Sequence, residues 1–114
     1  MATPTPPSAQ RRAQQRIARR LAAAGFALPG TITQRMMRCG KGGCRCKDDP
    51  PQLHGPYIQW TRTVDGKTVT KLLSHDQLTR YQPWFDNARQ LRELLGQLEA
   101  VSIEAITKAE GWGS

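Results

Sequence analysis

The sequence predicts a small α+β domain, and three observations predict it. Two runs rich in β-branched and aromatic residues, 57–64 and 67–74, flank an Asp65-Gly66 pair, the signature of a two-residue hairpin turn. Helix-forming segments with apolar periodicity lie on either side of that hairpin, over 9–24 and from 74 onward. Between the first helix and the hairpin, three cysteines and a histidine (Cys39, Cys44, Cys46 and His54) suggest a metal loop. At 114 residues and 38% apolar content the chain has one thin core, and chains of this size commonly lean on a metal, a disulfide or a second copy.

The elements follow in order. Residues 1–8, MATPTPPS, hold three prolines and no anchoring apolar side chain, and read as a disordered tail. The stretch 9–28 reads as a basic amphipathic helix and its exit. Ala13, Ile17, Leu21 and Ala24 form a narrow apolar stripe, and Gly25 is the expected stop. Residues 29–74 read as the metal loop with the hairpin, and TITQRMMR (31–38) is either a short strand or an extended lead into the loop. The turn fixes the hairpin register: Val64 faces Lys67, Arg62 faces Val69, Trp60 faces Lys71 and Ile58 faces Leu73. The other face pairs Thr63 with Thr68, Thr61 with Thr70 and Gln59 with Leu72. Only the Ile58–Leu73 face asks for burial.

Residues 75–110 read as a C-terminal helical segment, opened by a Ser74–Gln77 capping box and expected to break or kink at Pro83. Beyond Pro83, Trp84, Leu91, Leu98 and Ala105 recur every seven residues, with Leu94 and Val101 between them. The resulting Leu91–Leu94–Leu98–Val101 seam suits a partner interface, as a homodimer or on a larger protein, and suits ordinary core packing equally. All of these pieces are expected to form one domain.

Charge is the strongest pointer to function. Residues 1–47 hold ten Lys and Arg and no Asp or Glu, whereas residues 48–114 hold seven basic and nine acidic residues. The whole excess behind the +8 net charge therefore sits in the first part of the chain, and a nucleic acid is the partner it favours. The candidate contacts are Arg11, Arg12, Arg16, Arg19 and Arg20 on the helix, then Arg35, Arg38, Lys41, Arg45 and Lys47 toward and within the loop. Trp60, Arg62 and Lys71 on one hairpin face, with Tyr57 near its base, are candidates for reading bases, and core packing is the competing role for Trp60. A membrane surface is the lesser alternative, because the helix lacks the bulky apolar residues that such binding buries. An organellar transit segment is a rival reading of the Arg-rich start, but Ser8 is the only serine before Ser74.

The cysteine spacing is Cys39-x4-Cys44-x-Cys46, followed by His54. Thiolates and a neutral imidazole suit tetrahedral Zn²⁺, and four protein ligands would close the site to catalytic water. Asp48 or Asp49 can replace His54 as fourth ligand in this reading. Glycines at 40, 42 and 43 allow a tight loop, and Lys41, Arg45 and Lys47 offset the thiolate charge. An odd cysteine count within so short a segment points away from a secreted disulfide framework and toward the cytoplasm. No run approaches the roughly 18 apolar residues of a membrane span, so the chain is read as soluble. Candidate general bases are scattered, and no enzyme activity is expected.

The segment CGKGGCRC (39–46), followed by HGPYIQW (54–60), a DGK turn (65–67) and a leucine-rich C-terminal helix, resembles a family of short prokaryotic proteins grouped as a domain of unknown function. Its hallmark is a CGK…CRC loop followed by HGPY, and the resemblance spans roughly residues 29–106. It implies companionship with mobile-element and recombinase genes, which suits a small accessory protein binding DNA before RNA. This chain departs from the pattern at Gly43 and in KDDPPQL before His54, which bears on loop geometry more than on the ligand set.

Overall fold

The computed structural model describes residues 5–37, 43–44 and 52–113, with Met37 and His54 described through their backbone. Five elements follow in order: helix α1 (Ser8–Ala22), strands β1 (Thr31–Met37), β2 (His54–Val64) and β3 (Lys67–Leu73), and helix α2 (His75–Glu110). The class is α+β. The chain divides into a sheet unit, Leu28–Phe85, and a helical unit formed by Met1–Ala27 with Asp86–Ser114.

The sheet unit is antiparallel, in the order β1-β2-β3. Asp65 (φ 50°) and Gly66 (φ 78°) both adopt the positive φ that a type I′ turn demands. The β2–β3 register is then the one the turn dictates, from Val64↔Lys67 through Ile58↔Leu73. Residues 31–37 form a strand rather than an extended lead, pairing Ile32 with Trp60 and Arg35 with Tyr57. Alternation sends Ile58, only 2% exposed, to the same face as Trp60. The opening turns of α2 cover that face, where the Trp60 and Phe85 rings meet edge-on at 5.6 Å.

Helix α2 opens on a reciprocal capping box. The Gln77 N–H donates to Ser74 Oγ at 3.1 Å, and the Ser74 N–H donates to Gln77 Oε1 at 2.9 Å. The expected break at Pro83 does not occur, because α2 is continuous from His75 to Glu110. Proline removes one N–H, which would have bonded to the carbonyl of Thr79. Thr79 and Pro83 are both exposed, so water can serve that carbonyl. Immediately beyond, Phe85 is buried, and the Leu28 N–H donates to the Trp84 carbonyl at 3.0 Å, which holds the helix backbone. Packing outweighs the local preference.

In the helical unit α1 lies beside the later turns of α2. Ile17 (7% exposed) and Gln10 (6%) are the buried residues of α1, and Ala88 (8%) and Leu94 (2%) those of this part of α2. Leu91, Leu98, Val101 and Ala105 are half-buried along the same line. Gln10 Nε2 donates to Glu104 Oε2 at 3.4 Å, and Asn87 Nδ2 donates to the Phe26 carbonyl at 2.8 Å. α1 ends at Ala22, ahead of Gly25, as the Ala23 N–H turns back to the Arg19 carbonyl. Open clefts of about 220 and 400 Å³ lie between the two helices. Among the described residues no helix is long and apolar enough to cross a membrane.

Leu94 is the largest fully buried side chain, whereas Ile103, on the same helix, is 65% exposed. Leu94→Ala is expected to cost about 3 kcal/mol and Ile103→Ala less than about 0.5 kcal/mol in urea unfolding.

Candidate nucleic-acid interface

Helix α1 sorts its side chains by face. At about 100° per residue, Arg12 and Arg19 lie opposite Ile17 and Gln10, Arg11 and Arg16 to either side, and Arg20 nearest that stripe. All five arginines are exposed. The helix has no acidic residue in its first turn, and Arg19 and Arg20 in its last turn suit the negative end of the helix dipole. Among the described residues the one ion pair is Arg89 with Asp86, at 3.0 Å, so these arginines have no carboxylate to neutralise them. Their charge faces solvent.

Arg35 lies exposed on β1. Arg38, Lys41, Arg45 and Lys47 fall outside the described residues, as do Cys39 and Cys46. Cys44 is half-buried. Among the described residues no group of three or more His, Cys, Asp or Glu side chains is gathered. The expected Cys39–Cys44–Cys46–His54 site thus lies largely outside them. The described backbone nevertheless fixes where the cysteine segment is tethered: Met37 at the end of β1 is the Cα partner of His54 at the start of β2. Segment 38–53 is therefore closed at its base by a strand pair, and His54 sits at that base.

The geometry behind this closure lies in the HGP sequence. Arg35 pairs with Tyr57 and Met37 with His54, so Met36 alone faces Gly55 and Pro56, and β2 bulges there by one residue. The Gly55–Pro56 peptide is cis and Gly55 has φ 127°. A Cβ at Gly55 would lie 2.8 Å from the Arg35 carbonyl oxygen and 2.9 Å from the Tyr57 nitrogen, so glycine is the residue that fits.

Trp60 takes the structural role of the two considered for it. Its Nε1–H donates to the Pro29 carbonyl at 2.8 Å, its ring meets Phe85, and the Arg62 guanidinium stacks over it at 4.5 Å. Gly30 (φ 100°) passes so close that a Cβ there would be 2.8 Å from Trp60 Nε1. A cleft of about 310 Å³ adjoins this point, lined by Trp60, Tyr81, Trp84 and Phe85 among others. The hairpin face carrying Trp60, Arg62 and Lys71 is the side on which α2 packs. The opposite face carries Tyr57, Gln59, Thr61, Thr70 and Leu72, and was not singled out from the sequence beyond Tyr57. The signal was the alternation Thr31-Ile32-Thr33-Gln34-Arg35, which joins β1 to that face.

The Leu91–Leu94–Leu98–Val101 line runs along the α1 side of α2, where Leu91 and Leu94 share a cleft with Arg20 and Ala23, and Val101 shares one with Ala13 and Ile17. The exposed aliphatic residues beyond Pro83 on α2 include Leu95 (53%), Ile103 (65%) and Ile106 (47%).

A small helix-and-sheet protein with a basic helix and a cysteine-bearing segment is the class these features define. The family model for the domain of unknown function DUF6788 matches residues 8–83, two thirds of the chain, and the protein belongs to that family. The match takes in α1, which lay outside the span expected from the CGK…HGPY motif, and ends inside α2 at Pro83. No curated protein and no solved structure matches the chain.

Gly55→Ala is expected to lower stability by about 2 kcal/mol, through strain at a positive φ and the clash with Arg35. Urea unfolding of the two proteins side by side measures it.

Proposed function

We propose that this protein is a non-enzymatic, zinc-stapled nucleic-acid-binding protein of the cytoplasm, taking DNA before RNA. The observation that carries this reading is the solvent-facing arginine stripe of α1, whose guanidiniums form no ion pair among the described residues. An unpaired row of guanidiniums on one helix face is costly in self-repulsion unless a polyanion covers it, and the phosphate backbone supplies that charge at regular spacing. Such contacts give affinity and orientation without choosing a sequence. The basic residues Arg38, Lys41, Arg45 and Lys47 extend the positive run into the cysteine segment.

Zinc enters on the donor set and on the closure of its segment. Three thiol donors and one imidazole lie between Cys39 and His54 in the sequence, and the backbone of His54 pairs with Met37. Cys39, Cys44, Cys46 and His54 would hold the ion, and when bound it supplies a structural cross-link between β1, the segment and β2. Companionship with a mobile-element recombinase, implied by the sequence resemblance, suits an accessory role on DNA. A second reading, docking on a partner protein through α2, is favoured by the exposure of Leu95, Ile103 and Ile106.

Affinity for a DNA duplex is expected to fall steeply with salt, the log–log slope reaching about −4.5 if the five α1 arginines meet phosphates. Arg12→Gln, Arg16→Gln and Arg19→Gln together should flatten it by about 2.7, at 0.9 per phosphate lost. Mobility-shift titrations across a salt series read both. A flat salt response, with binding to a protein partner instead, would favour the α2 reading.

The purified chain is expected to carry about one zinc ion, the stoichiometry of a four-ligand site. Cys46→Ser should lose it, and a chelator should lower the melting temperature of the native chain. Metal analysis with thermal denaturation checks these outcomes, and a metal-free chain with an unchanged melt would remove zinc from the account.

A further inference from the structure

We propose that the aromatic cleft of the sheet unit takes an unpaired base of a nucleic-acid strand, whose phosphates meet the cations at its border. The inference rests on the nucleic-acid reading above and adds to it a site for a base.

The cleft is built from two aromatic pairs. Trp60 meets Phe85 edge-on at 5.6 Å, and Tyr81 meets Trp84 edge-on at 5.0 Å. All four rings line a space of about 310 Å³, and Gln77 brings an amide to its wall. Gln77, Tyr81 and Trp84 fall at i, i+4 and i+7, so one face of α2 supplies that side. Trp60 is the structural wall, whereas Tyr81 is 38% exposed and presents its ring to solvent. The volume is at the low end of small-ligand sites, roughly 300–1,000 Å³, and suits a single ring system rather than a helix.

Charge then selects the ligand. An aromatic-walled cleft by itself suits a quaternary ammonium, but three cations border this one. The Arg62 guanidinium lies 4.5 Å from the Trp60 ring centroid, and that of Arg80 lies 5.8 Å from the Tyr81 centroid. Lys71, which is exposed, is the Cα partner of Trp60 on the same sheet face. Among the described residues no carboxylate lines the cleft. Asp76, one turn before Arg80, is the acidic residue on that side of α2, whereas Asp86 falls on the far side and pairs with Arg89. The border is net positive, which opposes a cation and favours a flat ring that carries negative charge. A nucleotide has both parts.

The stacked guanidinium of Arg62 suits the second part. Lying over a ring, it keeps its N–H groups in plane, where they can fork onto a phosphate. A base inside a duplex has its faces covered by its neighbours, so the occupant is unpaired. DNA and RNA strands share this chemistry.

The test uses the native chain and three labelled strands of about 12 nucleotides: oligothymidylate, oligouridylate and a deoxyribose-phosphate strand without bases. At equal salt a base-bearing strand should bind at least about tenfold tighter than the abasic one, within the range that one stacked base supplies. The tighter of the two base-bearing strands names the sugar. Tyr81→Ala, its fold checked by circular dichroism, should lose the preference, and Tyr81→Phe should keep it. Equal binding of base-bearing and abasic strands by the native chain would overturn the cleft assignment and leave the nucleic-acid reading standing. A preference unchanged in folded Tyr81→Ala would do the same. Thymidine monophosphate competing as well as the strand would make this a free-nucleotide site and overturn the strand. Failure to bind any strand or duplex at low salt would remove the nucleic-acid reading and this inference with it.

Discussion

The two-residue turn at Asp65-Gly66 decides the face on which every side chain of the sheet unit lies. Because strand side chains alternate, a slip of one residue would move Ile58 and Trp60 to solvent and bring the threonines beneath α2. With the register held, Trp60 reaches both the Pro29 carbonyl and the Phe85 ring, and those contacts anchor the chain entering β1 and the opening of α2. β1 inherits its own alternation from β2 through the Ile32–Trp60 pair. One local conformational choice therefore orders three strands and the segment that leads into them.

The bulge at Gly55-Pro56 is the complementary device at the other end of β2. It absorbs one residue so that β1 and β2 still meet at Met37 and His54. HGP thus has a backbone meaning that holds whatever the cysteine segment binds. Gly55 is confined by the Arg35 carbonyl, and Arg35 is also the basic residue on the open face of β1, so backbone closure and surface charge share one position.

Much of this was legible in the sequence, for identifiable reasons. The hairpin and its whole register followed from a turn with few conformational solutions, and the Ser74–Gln77 cap followed from side chains that reach only a few residues. β1 was ambiguous because a half-buried edge strand of mixed polarity carries weak periodicity, and its pairing with β2 is long-range. At Pro83 the helix runs on without a break, because tertiary contacts at Trp84 and Phe85 outweigh the local preference. The Leu91–Leu94–Leu98–Val101 line was visible as a stripe, but periodicity alone does not say which helix lies against it; here α1 does. The α1 arginines are legible as charge, whereas their lack of ion pairs among the described residues is a property of the folded surface.

β3 has a strand on one side only among the described residues, so its outer edge presents unpaired backbone groups. Six of its seven residues are exposed, Val69 and Leu72 among them, in a TVTKLL tract of high β-propensity. Such an edge is a template for accretion of further chains. Lys67 and Lys71 are the gatekeepers on that strand, their like charges opposing the approach of a second copy in register. Those two ammonium groups keep one molecule from growing onto the next, so the colloidal behaviour of the sheet edge rests on them.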